Sequence, residues 1–273
     1  MPLIERSADT TVFAYTHIRE HQIVSDPKIA IVVPALNEQK LLPHALASID
    51  RALEQISDPV RVVIVDNNST DRTGQLARDS GAFVVFEEKR RISSARQAGL
   101  YSLPDSVEMV LTTDADSIVP RGWVGAYIHL LNQTATVGAY GPVKYDHEES
   151  PPIGQALTFW LLMTTSGLLR RMKGKHGMSI GSGANSAYRL RAAREIGGYN
   201  TALSRAEDTD LFRRLQDVGK IENTHATVTT SNRRIVNRGL FQHFLRRLYA
   251  NYYHIRNKKW PVFQTDLEQN IRL

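Results

Sequence analysis

Two carboxylates, Asp114 and Asp116, follow an apolar segment at residues 108–112 that is typical of a buried strand. In an extended chain, residues two apart face the same side, so both carboxylates could approach one divalent cation. Carboxylate oxygens suit Mg²⁺ or Mn²⁺, and Mg²⁺ commonly keeps coordination positions for substrate phosphates. An isolated Asp-x-Asp is more often a solvated acidic turn, so its place after a buried strand is what favours a metal. We therefore predict a Mg²⁺ or Mn²⁺ site at these two residues.

Two further polar clusters follow apolar segments in the same way, at residues 34–38 and 66–71. Asp66 closes the second segment, where an unpaired buried charge would be costly, so it needs a ligand or a hydrogen-bond partner. Ser69 or Thr70 is expected to cap the helix that follows. Alone, the first cluster indicates only a turn and a helix start, since its acidic last residue suits a helix N-terminus.

The elements that must position these clusters alternate along the first half of the chain. Two short apolar runs rich in β-branched residues, at residues 29–33 and 61–65, are typical of strands buried on both faces. Two further strands are expected at residues 82–86 and 108–112. Helical spacing of apolar residues lies between them, at residues 41–56, 71–80 and 92–101. The alternation predicts an α/β fold with a mostly parallel central sheet flanked by helices. Ligands bind such sheets beyond the carboxyl ends of the strands, where the polar clusters lie.

The second half of the chain has a different rhythm. The pattern predicts a long helix, a Gly- and Ser-rich loop, a second helix, a strand and an amphipathic helix, at residues 153–169, 177–185, 205–218, 221–229 and 239–257. Residues 1–27 show no clear periodicity, and we interpret them as an N-terminal arm or peripheral hairpin.

The composition excludes several chemistries. The chain has 273 residues, 42% of them hydrophobic, and no cysteine, which excludes disulfides, Cys-ligated zinc and thiolate catalysis.

The N-terminal residues do not resemble a secretory signal. The uncharged stretch at residues 150–169 approaches the length of a membrane span but contains prolines and polar residues. We expect it to be a buried or interfacial helix, and the protein to be cytoplasmic.

Positive charge is concentrated at the C-terminus, where residues 233–273 carry nine Lys or Arg and two acids. The basic, aromatic amphipathic helix in this segment either packs on protein, which we favour, or lies in a membrane interface. The second alternative would place the protein peripherally at the inner face of the membrane and would suit a lipid-linked substrate. A basic protein can also bind nucleic acid, but carboxylates at the strand ends repel phosphates unless a metal intervenes. We expect no nucleic-acid partner.

Taken together, the clusters are far more specific than any one of them. The chain resembles the family-2 glycosyltransferases with the glycosyltransferase A fold over roughly residues 28–235. The matching stretches are residues 32–38 (VVPALNE), 65–71 (VDNNSTD), 95–99 (ARQAG), 113–116 (TDAD) and 206–208 (AED).

The resemblance implies an inverting transfer of a sugar, of the hexosyltransferase type, from a nucleoside diphosphate sugar to an acceptor hydroxyl. It implies that the nucleotide is bound by Pro34, Asn37, Glu38, Asp66, Arg96, Asp114 and Ala115, and the metal by Asp114 and Asp116. It also suggests one catalytic domain at residues 28–235, with a nucleotide-binding half at 28–117 and an acceptor half at 118–235. A basic amphipathic helix and tail would follow at residues 236–273.

The carboxylate that the resemblance makes the general base is Asp208. Inversion needs one base to take the proton of the attacking hydroxyl, and the leaving diphosphate needs a metal or arginines to neutralise its charge. Without the other motifs, Asp208 would be better explained as part of an acid-rich first turn of a helix.

Weaker candidates could contact the acceptor or the diphosphate: Glu207, Gly183, Asn185, Arg233 and Arg234. A flexible turn and a solvated basic pair are the alternatives for these residues. His225 is a further candidate metal ligand, although a structural role is favoured for it. Trp123 is expected in the core.

The chain departs from the common family pattern at Asn67 and Gln97, and it lacks the Gln-x-x-Arg-Trp signature of processive synthases. Transfer of one sugar per acceptor is therefore expected. UDP is the default nucleotide, GDP and dTDP stay open, and the acceptor is a saccharide or lipid-linked. Alternatives are a nucleotidyltransferase, which would need a Gly-rich basic loop after the first strand, a nucleic-acid-binding protein, and a non-catalytic sugar-nucleotide binder. The oligomeric state is not predictable from these patterns.

Overall fold

The computed structural model describes residues 14–22, 25–146, 182–231 and 233. Residues 14–144 and 182–230 belong to one compact unit. The first half contains α1 (Thr16–Gln22), β1 (Ile29–Ala35), α2 (Leu42–Leu53), β2 (Val60–Asp66), α3 (Thr73–Asp79), β3 (Phe83–Phe86), α4 (Ile92–Tyr101) and β4 (Met109–Thr112). The chain then continues with β5 (Ser117–Ile118), α5 (Trp123–Leu131), β6 (Thr136–Tyr140), β7 (Val143–Asp146), β8 (Ser186–Arg189), α6 (Leu190–Glu195), α7 (Glu207–Leu215), β9 (Lys220–Asn223) and β10 (Val228–Ser231).

The central sheet has seven strands in the order β3-β2-β1-β4-β8-β6-β9. Parallel pairing joins β1 to β2 and β4, β2 to β3, and β6 to β9. One strand, β8, runs antiparallel to both of its neighbours, β4 and β6. A second sheet of three strands has the order β5-β10-β7. The predicted α/β fold with a mostly parallel central sheet is confirmed.

Helices cover both faces of this sheet because its central strands are apolar on both sides. Every residue of β1 is buried, and alternate side chains enter two separate cores. Ile31 contributes to a core with residues of α1, α2 and α5, whereas Val32 contributes to a core with residues of α4, α6 and α7. Trp123 is fully buried in the first core, as predicted.

Several elements differ from the sequence-based expectation. The single strand expected at residues 221–229 is two strands, since β9 pairs with β6 in the large sheet and β10 pairs with β5 in the small one. Part of the expected N-terminal arm is helix α1, which is held by a hydrogen bond from Ile18 N–H to Asp50 Oδ1 at 2.9 Å. The expected helices at residues 153–169 and 239–257 lie outside the described residues.

No helix in the parts of the chain that the structure describes is long and apolar enough to span a bilayer.

Candidate active site

The loops after β1, β2 and β4 meet at one edge of the sheet. Ala35 at the end of β1 lies in register with Asp66 at the end of β2, and Val32 lies in register with Thr112 at the end of β4. Pro34 is part of β1, beside Val65. The polar clusters that the sequence placed after separate strands are therefore neighbours in space.

The first two of these loops are joined by hydrogen bonds through Asn37. Its side-chain oxygen accepts from the backbone N–H of Thr70 at 2.8 Å, and its own N–H donates to Ser69 Oγ at 3.1 Å. Asn37 has a φ of 54°, in the left-handed region that few residues other than glycine adopt. Glu38 is buried, and its N–H donates to Thr73 Oγ1 at 2.8 Å. The network fixes the backbone where the sequence predicted a nucleoside pocket.

The predicted helix cap by Ser69 or Thr70 is wrong. Ser69 Oγ is used by the loop after β1, and helix α3 begins later, at Thr73. Asp71 Oδ1 instead accepts the Thr73 N–H at 2.9 Å, which satisfies an amide at the start of the helix. The hydrogen bonds of Asp71 lower its pKa, although its burial acts in the opposite direction.

Asp66 has the hydrogen-bond partner that the sequence argument required, because its Oδ1 accepts from the Ser69 N–H at 3.0 Å. Its Oδ2 lies against Gly74 in helix α3. A Cβ atom at Gly74 would come within 2.4 Å of that oxygen. Glycine at this position therefore lets the helix approach the carboxylate.

Arg96 is the centre of the site. Its side chain is 3% exposed, and its guanidinium contacts Asp114 Oδ1 at 2.7 Å and Glu207 Oε1 at 3.2 Å. It also donates to the Gly183 carbonyl at 3.2 Å and to Thr112 Oγ1 at 3.3 Å. Arg96 thereby links the end of β4 to the start of α7, which are distant in sequence.

Charge and burial act in opposite directions on this arginine. Burial alone would lower the pKa of Arg96, but the negative charges of Asp114, Glu207 and Asp208 and the neighbouring Tyr199 raise it. The guanidinium therefore stays protonated. A buried cation with carboxylate partners is stable only while those partners stay in place.

The predicted base, Asp208, is partly buried in the first turn of α7. Its Oδ2 accepts from the Gly183 N–H at 2.7 Å, and its Oδ1 accepts from the Thr209 N–H at 2.7 Å. Burial raises the pKa of Asp208, although Arg96 and these two hydrogen bonds oppose the shift. Burial and the charge of Asp208 raise the pKa of Glu207 to about 7, against the effect of Arg96. The residue before this pair, Ala206, has a φ of 59°, and such strain is often concentrated at functional sites.

Asp114 and Asp116 lie in a turn, not in the extended segment assumed from the sequence. Strand β4 ends at Thr112, and the Ser117 N–H donates to the Asp114 carbonyl at 3.1 Å. Ala115 between them is buried. Asp116 Oδ1 accepts from Thr230 Oγ1 at 3.2 Å, which connects the turn to β10.

Asp114 and Asp116 are carboxylates, the type of ligand that Mg²⁺ and Mn²⁺ bind. Within the described residues, no group of three or more His, Cys, Asp or Glu side chains could hold a metal, so His225 does not complete a site with the two aspartates. Mg²⁺ and Mn²⁺ are commonly bound by one or two carboxylates together with substrate phosphates and water. Asp114 and Asp116 could supply those carboxylates.

The loop before β8 positions other residues of the site. A Cβ atom at Gly183 would lie 2.1 Å from Arg96 Nη2, so only glycine fits there without displacing the arginine. Asn185, predicted as an acceptor contact, is fully buried. Its Oδ1 accepts from Trp123 Nε1 and Tyr127 Oη, and its Nδ2 donates to the Pro142 and Ala226 carbonyls. All four hydrogen bonds of the amide are internal, so in this structure Asn185 supports the loop and has none left for an acceptor.

Arg233 is described through its backbone N–H, which donates to Ser231 Oγ at 3.3 Å. Arg234 lies outside the described residues. Sequence reasoning did not single out Thr112, Tyr199 and Thr230, which contact or neighbour the charged groups of the site. Their contacts are made over long sequence separations, for which a single sequence gives no local signal.

Residues 30–197 match the model of Glycosyl transferase family 2. The chain belongs to this family. The resemblance inferred from the motifs is therefore confirmed, and the match favours sugar transfer over the nucleotidyltransferase and nucleic-acid-binding alternatives.

Two family relatives differ in how specifically they are named. The chain is 37% identical over 139 residues to an uncharacterized glycosyltransferase of Mycobacterium tuberculosis, covering 50% of this chain and 60% of the relative. It is 30% identical over 128 residues to the dolichyl-phosphate hexose transferase of Haloferax volcanii, covering 47% of this chain and 54% of the relative. The alignments thus span little more than half the length of these relatives.

The fold is also similar to that of a solved structure, the mannosyltransferase PcManGT of Pyrobaculum calidifontis in complex with GDP-Man and Mn²⁺. The TM-score is 0.61 at 22% identity, with 89% of this chain and 68% of that chain covered. This likeness supports the glycosyltransferase A-type fold.

Proposed function

We propose that this protein transfers a sugar from a nucleoside diphosphate sugar to an acceptor hydroxyl, with inversion at the sugar and with Mg²⁺ or Mn²⁺ as cofactor. The observation that carries the proposal is the position of Arg96, which contacts both Asp114 and Glu207. Through this one cation, a proposed metal ligand and the residue adjoining the proposed base belong to a single network. Transfer of one sugar per acceptor remains our proposal.

The nucleotide is proposed to bind at the edge of the sheet formed by the loops after β1, β2 and β4. The residues assigned to it are Pro34, Asn37, Glu38, Asp66, Arg96, Asp114 and Ala115. Support comes from the hydrogen bonds between the first two loops, which order the backbone before any ligand binds. Such preorganisation lowers the entropy cost of binding. UDP is the default nucleotide, and GDP and dTDP stay open; the similar Pyrobaculum structure contains GDP-Man.

Asp114 and Asp116 are proposed to hold the metal, which when bound would neutralise charge on the departing diphosphate. Arg96 orients Asp114 through its 2.7 Å contact, and Thr230 orients Asp116. Fixed partners of this kind keep carboxylates in place and tune their affinity for a metal.

Asp208 is proposed to act as the general base. It takes the proton of the acceptor hydroxyl while the acceptor oxygen bonds to the anomeric carbon. The bond from that carbon to the phosphate oxygen breaks, and its electron pair leaves with the nucleoside diphosphate. Backbone N–H groups of Gly183 and Thr209 hold the two carboxylate oxygens, so the side chain does not need to search for its position.

The acceptor is proposed to be a saccharide or a lipid-linked molecule, and the name of the Haloferax relative favours the lipid-linked class. Glu207, Gly183 and the arginines at 233 and 234 are the proposed acceptor or diphosphate contacts. The domain boundaries, the cytoplasmic location and membrane contact by the C-terminal segment stay predictions.

The test is thermal unfolding with UDP, GDP and dTDP, each with and without Mn²⁺. A ligand at about 100 times its dissociation constant stabilises by roughly 2.7 kcal/mol, which is enough to shift the melting midpoint. We expect one nucleotide to stabilise the protein only with Mn²⁺, and Asp116→Ala to abolish the shift. Asp217→Ala, at an exposed acid beyond α7, is the matched control and keeps it. If no nucleotide shifts the wild-type protein at saturating concentration, the proposal is wrong.

A second variant separates binding from chemistry. Asp208→Asn keeps the shape of the side chain but removes the base, so nucleotide and Mn²⁺ should still stabilise it. Turnover with an acceptor should fall by about 10²- to 10⁴-fold. An Asp208→Asn enzyme as active as the wild type would exclude this residue as the base.

A further inference from the structure

Helix α4 and the residue that precedes it, Arg91, contact the segment that leads to the proposed base through four side chains. Ser93 Oγ donates to the Leu203 carbonyl at 2.6 Å, and Arg91 Nη1 donates to the Thr201 carbonyl at 2.8 Å. Further along the helix, Gln97 and Arg96 contact the same segment closer to its two ends. These contacts reach residues 197, 199, 201, 203 and 207, so α4 and Arg91 hold the connection between α6 and α7 at several points.

Gln97 binds the tight turn at the start of this segment. Its Oε1 accepts from the Tyr199 N–H at 2.6 Å, and its Nε2 donates to the Gly197 carbonyl at 3.3 Å. Gly198 between them has a φ of 70°, and a Cβ atom there would lie 2.4 Å from Gln97 Oε1. The turn therefore lies directly against the amide. Asparagine, with one methylene fewer, would not reach both backbone groups.

The other side of the same turn is bound by Arg214 of helix α7. Its Nη1 donates to the Ile196 carbonyl at 2.8 Å and its Nη2 to the Gly198 carbonyl at 2.7 Å. Its Nε donates to Asp210 Oδ2 at 2.8 Å, so the guanidinium is itself fixed from within α7. The charged guanidinium of Arg214 donates all three hydrogen bonds, and such charge-assisted hydrogen bonds are stronger than neutral ones.

We propose that Gln97 and Arg214 are positioning residues that set the location of Asp208 by clamping the turn at residues 196–199 between α4 and α7. Helix α4 carries Arg96, which contacts Asp114, and α7 carries Asp208. The turn fixes the distance between these helices, and with it the distance between the donor end and the base. The role in the reaction rests on the proposed function, but the mechanical linkage does not.

The Gly183 N–H reports the position of Asp208 without any substrate, because it donates to Asp208 Oδ2 at 2.7 Å. Neither Gln97 nor Arg214 has a hydrogen bond to Gly183 among the contacts described above. Displacing α7 would break this bond and expose the amide to solvent exchange. A purely local role for the clamp would leave it unchanged.

The experiment is hydrogen exchange of the full chain followed by mass spectrometry, on peptides containing residues 182–186 and residues of β1. Variants are Gln97→Ala, Arg214→Gln and the conservative Arg214→Lys. The matched control is Arg213→Gln, since Arg213 is the neighbouring arginine on α7, is 45% exposed and approaches Asp210 only at 3.8 Å.

We expect exchange at Gly183 to be faster on the order of tenfold in Gln97→Ala and Arg214→Gln, beyond any change in β1. Arg214→Lys should fall between them and the wild type, and Arg213→Gln should match the wild type. Unchanged exchange at Gly183, or a rise no larger than in β1, would overturn the linkage. If Arg214→Gln does not fold, Gln97→Ala alone decides the question.

Turnover separates the two proposals. If Asp208→Asn lowers turnover by the fold expected above and the clamp variants lower kcat with an unchanged dissociation constant for the nucleotide and Mn²⁺, both proposals stand. If Asp208→Asn is fully active while Gly183 exchange still responds, the proposed base is wrong and the clamp stands.

Discussion

Asp114 Oδ1 lies 2.7 Å from Nη2 of Arg96, whose side chain is 3% exposed and also contacts Glu207. The carboxylates of two elements distant in sequence therefore depend on one buried cation. Removing Arg96 leaves carboxylates with no compensating charge in a largely buried place. This destabilises a protein more than replacing the whole ion pair by apolar residues does.

Arg96→Met should therefore lower the free energy of unfolding by about 3 to 5 kcal/mol, as measured by urea denaturation. The matched control is Lys28→Met, because Lys28 pairs with Glu108 at 3.2 Å with both side chains about half exposed. That pair should contribute at most about 1 kcal/mol. Equal losses in the two variants would contradict the central role of Arg96.

Gly183→Ala should destabilise the protein, because its Cβ would lie 2.1 Å from Arg96 Nη2 and 2.5 Å from Cζ. We expect a loss of about 1 to 3 kcal/mol from overpacking, measured by urea denaturation. Gly125→Ala tests the same substitution in open space within helix α5, where no atom lies within 4 Å of the new Cβ. This control should be stabilised by roughly 0.5 to 1 kcal/mol because alanine favours helix. The two substitutions should thus have opposite signs.

Stability should depend on pH through Glu207, whose pKa is raised from 4.5 to about 7 by burial and by Asp208. The folded protein binds this proton more tightly than the unfolded chain does. Protonated Glu207 thus contributes stability that is fully present below its pKa of 4.5 in the unfolded chain and is lost as the pH rises through about 7.

Glu207→Gln lacks this loss, so its stability relative to the wild type should grow between about pH 4.5 and 7, by on the order of 1 to 3 kcal/mol. Urea denaturation across that range measures the difference. Glu54→Gln, at an exposed pair with Arg121, controls for the loss of a carboxylate. Parallel curves for wild type and Glu207→Gln would show that the shift is absent.

Thr230→Val should weaken Mn²⁺ binding, because Thr230 Oγ1 donates to Asp116 Oδ1 at 3.2 Å and valine has nearly the same shape without the donor. Loss of a residue that orients a metal ligand typically costs about 10- to 100-fold in affinity. Titration of Mn²⁺ in the presence of the stabilising nucleotide measures it. Thr229→Val, on the same strand, is the control and should bind as the wild type does.

The sequence predicted the parallel part of the sheet well because strands buried on both faces are continuous apolar runs. Residues 29–33 and 61–65 show this pattern, and the helix expected at 92–101 has the observed bounds, Ile92–Tyr101. The polar clusters were also predictable from the sequence, because each follows its strand directly. The carboxyl ends of parallel strands meet at one edge of the sheet, so the clusters lie there together.

The features that the sequence did not predict are determined by contacts between residues far apart in the chain. The strand expected at 221–229 is divided because its two halves serve different sheets. Ser69 faces Asn37 of another loop instead of capping α3. The contact of Arg96 with Glu207 joins residues 111 positions apart, and no local pattern encodes such a pair.

The reversed direction of β8 has a consequence for which loops can reach the edge of the sheet where the nucleotide is proposed to bind. Because β8 runs antiparallel to β4, its first residue, Ser186, lies opposite Thr112, the last residue of β4. A parallel strand in that place would deliver its preceding loop to the far edge of the sheet. The reversal instead places the loop that precedes β8 beside the loops that follow the parallel strands. The backbone of Gly183 therefore lies within hydrogen-bonding distance of Arg96 and Asp208. One inverted strand thus enlarges the set of chain segments that evolution can vary around this one edge of the sheet.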